Sequence, residues 1–106
     1  MADNWHQLAR VDECGEGTAL ELVVSGRVIA LYCVDGKYYA MDGICPHQGG
    51  PLGKGQLSGC VVTCPWHGWQ YNVTDGRHET TPLEHTTFDV RLEGDAVMVL
   101  LPDDES

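Results

Sequence analysis

Cys45-Pro46-His47 and Cys64-Pro65-Trp66-His67 are the two short stretches that decide the fold of this chain. Each stretch offers one thiol and one imidazole within four residues, and the sixteen residues 48–63 separate the two pairs. Thiolates suit zinc and iron–sulfur clusters, whereas imidazole suits zinc, copper and iron. The pattern therefore predicts one metal centre held by Cys45, His47, Cys64 and His67.

Two kinds of metal centre use two cysteines and two histidines. One is a structural zinc ion in a closed tetrahedral site. The other is a two-iron cluster, in which two cysteines hold one iron and two histidines hold the other. Zinc-finger patterns put both cysteines in one pair and both histidines in the other. The mixed pairs of this chain favour the cluster, because each loop can then give one ligand to each iron. A zinc module that mediates protein contacts is the alternative.

The chain resembles the Rieske [2Fe–2S] proteins, and among them the small, low-potential ferredoxins of aromatic-ring-hydroxylating dioxygenases. The resemblance rests on two stretches, CPHQGGPL at 45–52 and CPWHGWQY at 64–71, and on the strand patterns around them. It covers nearly the whole chain. It implies one [2Fe–2S] cluster per chain, bound by Cys45, His47, Cys64 and His67, with a third loop over the cluster near Pro82.

The resemblance also implies a function. The chain is expected to be a one-electron carrier, and not itself an enzyme, that takes an electron from a reductase and passes it to a terminal oxygenase. The Rieske-like small subunit of assimilatory nitrite reductase is the alternative. High-potential relatives have a disulfide at the positions of Gly50 and Trp66 and a serine at Trp69. A third feature of those relatives is a tyrosine hydroxyl that donates to a cluster thiolate, and only this one is present here, as Tyr71. We therefore expect a low reduction potential.

Alternating and β-branched runs predict an all-β domain without a helix of useful length. The predicted strands are 5–11, 20–24, 27–34, 37–41, 60–63, 69–73, 86–92 and 96–101. Asp35-Gly36 lies between two such runs and predicts a hairpin turn. In the Rieske fold implied by the resemblance, small antiparallel sheets form a sandwich-like base. A cluster-binding subdomain, at about 42–82, is inserted into that base.

Length and charge restrict the class of protein further. The 106 residues suffice for one domain, 1–106, which we expect to be monomeric. A net charge of -10 argues against nucleic acid as a partner, because phosphates would repel the chain. No run of eighteen apolar residues and no signal peptide is visible, so the sequence predicts a cytoplasmic protein without a membrane span.

Five side chains outside the ligand set also have predicted positions. Cys33 lies in an apolar run and is predicted to be a core residue, whereas Cys14 lies in a turn and is predicted to be exposed. Cys60 precedes a short apolar strand and its side chain is compatible with either face. His78 and His85 could suggest a second metal, but we expect both to be surface residues.

Overall fold

The structure is a computed structural model that describes residues 5–24, 26–43, 51–65, 68–79 and 85–101. These residues form ten strands and two 3₁₀ helices, Val11–Glu13 and Leu52–Lys54. The strands are β1 (Trp5–Arg10), β2 (Ala19–Val24), β3 (Arg27–Val34), β4 (Lys37–Asp42), β5 (Gln56–Ser58), β6 (Val61–Thr63), β7 (Gln70–Asn72), β8 (Thr87–Phe88), β9 (Val90–Glu93) and β10 (Ala96–Leu100). The predicted all-β class is confirmed. Within the described ranges, no helix is long and apolar enough to cross a membrane.

The strands pair into three antiparallel sheets. The outer sheet has the order β1-β10-β9, the middle sheet β2-β3-β4-β8, and the site sheet β5-β6-β7. Strands β2, β3 and β4 form a continuous meander whose register runs unbroken from Ala19 opposite Tyr32 to Val34 opposite Lys37. The longest described strand, β3 with eight residues, lies at the centre of this meander.

Strand β3 lies between two hydrophobic cores, which explains its unbroken apolar sequence. Ile29, Leu31 and Cys33 belong to the core that the middle sheet shares with the outer sheet. Ala30 and Tyr32 belong to a second core, which the middle sheet shares with the site sheet. Successive side chains of a strand point to opposite faces, so both faces of β3 are buried. The middle sheet is thus the inner layer of three.

The hairpin turn between β3 and β4 is confirmed. Asp35 and Gly36 have φ angles of 53° and 76°, as the two central residues of a type I′ turn require. The Glu16 carboxylate accepts hydrogen bonds from the Asp35 amide at 2.6 Å and the Gly36 amide at 2.8 Å. The turn is therefore tied to the loop between β1 and β2.

The site sheet is built from residues inserted between two paired strands of the middle sheet. Strand β4 precedes the insertion and β8 follows it, and the two pair through Ala40 opposite Phe88 and Met41 opposite Thr87. The ends of the insertion therefore meet on the middle sheet. The insertion's own three strands, β5 to β7, pack against the same sheet through the second core.

The predicted strand 86–92 is wrong, because this run is two strands in two different sheets. β8 pairs with β4 in the middle sheet, whereas β9 pairs with β10 in the outer sheet. Asp89 separates them, and its carbonyl accepts the amide of Leu100 at 2.9 Å. The alternation of side-chain directions continues from β8 into β9 although the pairing partner changes, so the sequence pattern does not reveal the change of sheet.

The predicted strand 60–63 is one residue too long, and the strand before it was missed. Gly59 and Cys60 form the turn of a hairpin between β5 and β6, in which Ser58 lies opposite Val61. Strand β5 has only three residues, and its sequence, Gln-Leu-Ser, carries little β-branched or aromatic character. Pairing with β6 makes it a strand.

Of the three cysteines outside the predicted ligand set, two are core residues. The predicted burial of Cys33 is confirmed, with 3% of the residue exposed, but the predicted exposure of Cys14 is wrong, because it is 0% exposed. The Cys14 thiol points at the carbonyl of Thr18, with 3.7 Å between sulfur and oxygen. Burial, and then the nearby Cys33, raises the pKa of Cys14 to about 11. Cys60 is half-buried and accepts a long hydrogen bond, 3.6 Å, from the side-chain amide of Asn72.

Candidate metal centre

Of the four predicted ligands, Cys64 lies in the described part of the chain. Cys45, His47 and His67 lie outside the described residues, as do Gly50, Trp66 and Pro82. The structure therefore describes one predicted ligand, Cys64, and the backbone and side chains around the two predicted ligand loops. These surroundings have three parts: the loop that begins at Cys64, the ends of the first ligand loop, and the aromatic residues behind Cys64.

Cys64 follows directly on β6 and begins a loop that closes on itself. Its amide donates to the carbonyl of Trp69 at 2.8 Å, and its own carbonyl accepts the amide of Gly68 at 3.0 Å. Gly68 has a φ of 77°, a left-handed conformation that costs glycine little. The backbone on both sides of the Cys64 side chain is thus held, and the side chain points inward, since the residue is 1% exposed.

The surroundings of Cys64 are apolar and aromatic. Its neighbours in the second core are Leu52, Val62 and Tyr71, all fully buried, together with Tyr32 from the middle sheet. The Tyr32 hydroxyl donates to the carbonyl of Leu52 at 2.8 Å. Burial, with a smaller contribution from negative charge at Cys64, raises the pKa of Tyr32 well above its ordinary value. Tyr32 therefore stays neutral and keeps its proton for this hydrogen bond.

The two ends of the first ligand loop are joined. The Leu52 amide donates to the carbonyl of Gly43 at 2.9 Å, and the Gly43 amide donates to Val28 of β3 at 2.9 Å. Residues 44–50, which contain Cys45 and His47, connect these two ends and lie outside the described residues. The loop therefore leaves and re-enters the described structure at one point beside β3.

A group of aromatic and imidazole rings lies behind the Cys64 loop. The His78 ring meets Trp69 edge-on, with 4.8 Å between ring centroids, and meets Tyr71 at 5.1 Å. The His85 ring is tilted over Tyr71 at 5.6 Å. The predicted surface position of His85 is wrong, because the residue is only 8% exposed, whereas His78 is half-buried.

Sequence reasoning placed His85 at the surface because nothing near it in the sequence indicates its burial. Its Nε2 lies 2.7 Å from the backbone carbonyl of Asp42, 43 residues earlier in the chain. A carbonyl oxygen can only accept, so Nε2 carries the proton. Among the residues that the structure describes, no three or more His, Cys, Asp or Glu side chains are arranged to hold a metal ion.

The described part of the site suits a thiolate-bound iron–sulfur cluster. Such a cluster needs cysteine sulfur held in a shielded pocket, and its properties depend on hydrogen bonds and on exposure to water. Cys64 offers a buried thiol whose backbone is hydrogen-bonded on both sides. Apolar and aromatic side chains surround this thiol. The mixed cysteine and histidine pairs of the sequence complete a donor set of the kind that holds two irons.

Comparison with known protein families gives the class of the protein and its cofactor. Residues 4–100 match the family model of the Rieske [2Fe-2S] domain. The chain therefore belongs to the Rieske [2Fe-2S] domain family, and its cofactor is a [2Fe–2S] cluster. The structural zinc alternative is not retained.

The relatives narrow the class to ferredoxins. The chain is 36% identical over 101 residues to the ferredoxin component of the naphthalene 1,2-dioxygenase/salicylate 5-hydroxylase systems of a Ralstonia species, covering 93% of this chain and 97% of the relative. It is 28% identical, with a TM-score of 0.83, to a chain in the complex of reduced oxygenase and oxidized ferredoxin in carbazole 1,9a-dioxygenase, covering 93% and 94%. The ferredoxin of Sphingomonas yanoikuyae B1, at 24% identity, shares the fold with a TM-score of 0.85 over 93% of this chain and 100% of that chain. The predicted Rieske fold is confirmed.

Proposed function

We propose that this protein is a Rieske-type ferredoxin, a one-electron carrier in which Cys45 and Cys64 hold one iron and His47 and His67 hold the other. The observation that carries the proposal is the buried Cys64 thiol, which lies on a held loop inside the region that matches the family. Residues 1–106 would form a single domain, with about 42–82 as its cluster-binding subdomain. We also propose that the protein is a cytoplasmic monomer.

When bound, the [2Fe–2S] cluster supplies a centre that gains and loses one electron. The chain's own residues hold that centre and control its surroundings. The Cys64 loop presents sulfur from a backbone held at both ends. Leu52, Val62 and Tyr71 exclude water from the inner side, since all three are fully buried. A loop fixed by hydrogen bonds and packing moves little when the cluster gains or loses an electron, and a small rearrangement favours rapid electron transfer.

The donor and acceptor are proposed from the relatives. The Ralstonia relative is named as a ferredoxin component of dioxygenase systems, and the carbazole 1,9a-dioxygenase structure pairs a ferredoxin with an oxygenase. By analogy, this chain takes an electron from a reductase and passes it to a terminal oxygenase. Its net charge of -10 suits transient complexes with a basic partner surface. The nitrite reductase alternative has no support among these relatives.

We also propose that the chain is a carrier without a reaction of its own. The described residues line two open grooves, of about 320 and 390 Å³, which share Lys37 and Tyr39 near the hairpin turn of the middle sheet. Cys64 lines neither groove. Incubating the reduced protein with oxygen and aromatic substrates, in the absence of an oxygenase, should leave the substrates unchanged.

The proposal is tested by reconstituting the protein anaerobically with iron and sulfide. The wild-type protein should be brown, hold about two irons and two sulfides per chain, and give a rhombic Rieske-type electron paramagnetic resonance (EPR) spectrum after dithionite treatment. Cys64→Ala should abolish the spectrum, whereas Cys60→Ala, a matched change of a half-buried cysteine nearby, should retain it. A colourless wild-type protein, or a Cys64→Ala variant with an unchanged spectrum, would contradict the proposal.

The reduction potential should lie near the bottom of the Rieske range, at about -150 mV. Gly50 and Trp66 cannot form the disulfide of high-potential relatives, and the indole of Trp69 cannot replace the serine hydroxyl that donates to a bridging sulfide there. Fewer donors to the cluster make its reduced, more negative form less stable. A redox titration that gives a midpoint above about +100 mV would contradict this expectation.

The partner assignment has its own test. Mixed with a ferredoxin reductase and a terminal oxygenase of a naphthalene dioxygenase system, the protein should support substrate turnover, and Cys64→Ala should not. The complex should dissociate in high salt, because transient complexes between charged surfaces are screened. Co-purification of the protein with a reductase subunit at high salt would instead favour the role of a permanent subunit.

A further inference from the structure

The buried imidazole of His85 has no assigned role, although it connects three parts of the site. It is the one charged or polar residue in the described ranges that is buried, at 8% exposure. Burying a polar group is costly unless it forms a hydrogen bond. The bond from Nε2 to the Asp42 carbonyl, at 2.7 Å, offsets that cost for His85.

The first connection is to the start of the first ligand loop. Asp42 is the last residue of β4, three residues before Cys45. Its carbonyl accepts the His85 side chain, and its amide donates to the carbonyl of Thr86 at 3.0 Å. The chain at 85–86 therefore holds both polar groups of the Asp42 backbone.

The second connection is to the strand that leaves the second ligand loop. The His85 amide donates to the carbonyl of Gly76 at 2.7 Å, and the Gly76 amide donates to Asn72, the last residue of β7, at 2.7 Å. A side chain at Gly76 would collide with the His85 carbonyl, so the two backbones touch. The His85 ring also lies over Tyr71 of the same strand.

The third connection is to the segment 80–84, where the Rieske resemblance implies a third loop over the cluster. His85 is the first described residue after that segment. The hydrogen bonds and ring contact of His85 thus join the residues that flank all three loops. Strand β7 and the end of β4 belong to different sheets, and no strand pairing connects the two.

We infer that His85 is a positioning residue that sets the distance between the two ligand loops. The inference rests on the proposed function, because it assumes that Cys45, His47, Cys64 and His67 share one cluster. With its Nε2–H on Asp42 and its ring on Tyr71, His85 holds the start of one loop against the exit of the other. Without the donor, the Asp42 carbonyl loses its side-chain hydrogen bond while the backbone bonds of 85–86 remain. The start of the first loop is then less firmly positioned, so the cluster should be lost more readily and its electronic properties should change.

The test compares cluster-loaded variants of the full chain. His85→Phe keeps a ring but has no donor, His85→Gln keeps an N–H donor without the ring, and His6→Phe makes the same change at a half-buried histidine in β1. His85→Phe should lose its cluster to a chelator about tenfold faster than the wild type, with changed EPR g values and a shifted midpoint potential. His85→Gln should restore most of the retention and the potential, and His6→Phe should match the wild type.

The outcomes separate positioning from general stability. A purely structural role would lower the unfolding temperature of His85→Phe but leave the potential and g values of its intact clusters unchanged, and that result would overturn the inference. Equal effects of His85→Phe and His85→Gln would overturn it as well, because the donor would then be irrelevant. If His85→Phe does not fold, His85→Gln and His85→Asn make the same comparison, since the shorter asparagine should not reach the Asp42 carbonyl.

The same experiment distinguishes this inference from the proposed function. If the wild-type protein binds no cluster, the proposed function fails and the inference fails with it. If the wild type binds a cluster and His85→Phe behaves as His6→Phe does, the positioning role alone is refuted.

Discussion

The middle sheet and the site sheet are stabilised in different ways. Strands β2, β3 and β4 have six to eight residues and connect through tight turns, so most of their pairing is local. Strands β5, β6 and β7 have three residues each. A sheet so small is not stable alone and must pack on other elements. The site sheet therefore depends on contacts with the middle sheet from residues distant in sequence.

Besides the second core, specific contacts among the described residues join the insertion to the middle sheet. Tyr32 reaches from β3 to the Leu52 carbonyl, His85 reaches Asp42, and Gly53 lies against the backbone of β2. A single change at any of them should disturb the site while the outer and middle sheets stay folded. Comparable changes in the other region should have smaller effects, or effects unrelated to the site. Three predictions test this contrast.

The largest expected effect is that of Gly53→Ala, where the site region packs on the middle sheet. A Cβ at Gly53 would lie 2.7 Å from the Cα of Glu21 and 2.8 Å from the carbonyl oxygen of Leu20, and neither backbone can move cheaply. We expect a loss of about 2–3 kcal/mol, or about 10 °C or more in the unfolding temperature, with lower iron content. Thermal unfolding of the oxidised protein and iron analysis measure both effects.

Gly15→Ala is the matched control in the loop between β1 and β2. Its Cβ would meet only the Thr18 hydroxyl at 3.7 Å, an ordinary contact. We expect a change within about 0.5 kcal/mol. Equal effects at Gly53 and Gly15 would show that the packing of the site region on β2 is not specific.

The second prediction concerns pH and the core between the outer and middle sheets. Burial raises the pKa of Cys14 to about 11 from an ordinary value of 9.0. The unfolded chain therefore loses this proton at lower pH than the folded chain does. The contribution of the protonated thiol to the free energy of unfolding is fully present below about pH 9, and it is lost as the pH rises toward 11. The loss is on the order of 2 kcal/mol.

Thermal unfolding of the wild type and of Cys14→Ala at pH 8 and pH 10.5 measures this contribution. Both proteins carry the same cluster, so the difference between their pH dependences isolates Cys14. We expect the wild type to lose more stability than Cys14→Ala over this interval. Parallel pH profiles would show that the thiol titrates equally in the folded and unfolded chains.

The smallest expected effect compares two tyrosines of the middle sheet, Tyr32 in the second core and Tyr38 against the core shared with the outer sheet. Tyr32→Phe removes the buried hydrogen bond to Leu52, and Tyr38→Phe removes a longer, partly buried one, 3.2 Å, to the carbonyl of Val11. The Leu52 carbonyl keeps the Gly55 amide at 3.0 Å, so we expect Tyr32→Phe to cost only about 1 kcal/mol. Cluster retention should fall in Tyr32→Phe and stay unchanged in Tyr38→Phe, and the reverse ranking would contradict the contrast.

The strands of the middle sheet were predictable because their causes are local. The apolar run 27–34 coincides with β3, and Asp35-Gly36 adopts the positive φ angles that the turn requires. Both signals come from residues next to each other in the chain. The ligand set likewise follows from four residues in two short motifs. It stays a prediction for all four, of which Cys64 lies in the described part of the chain and Cys45, His47 and His67 lie outside it.

The errors arise where pairing and packing between elements decide the result. Strand β5 exists because β6 pairs with it, and the run 86–92 divides at Asp89 because β8 and β9 take partners in different sheets. Cys14 is buried because the outer and middle sheets close over its loop. No pattern of polarity within a single strand contains this information, since it depends on which other strand or loop pairs or packs with that segment.

The sequence alone determined the class of this protein, its cofactor and the order of its main strands. Motif spacing, alternation and turn residues act over a few neighbouring positions, and they are therefore visible in one dimension. The tertiary structure decided that the insertion returns to the middle sheet, that β3 serves two cores, and that His85 joins the flanks of the ligand loops. These properties depend on hydrogen bonds and packing between residues tens of positions apart, which form only once the sheets have assembled.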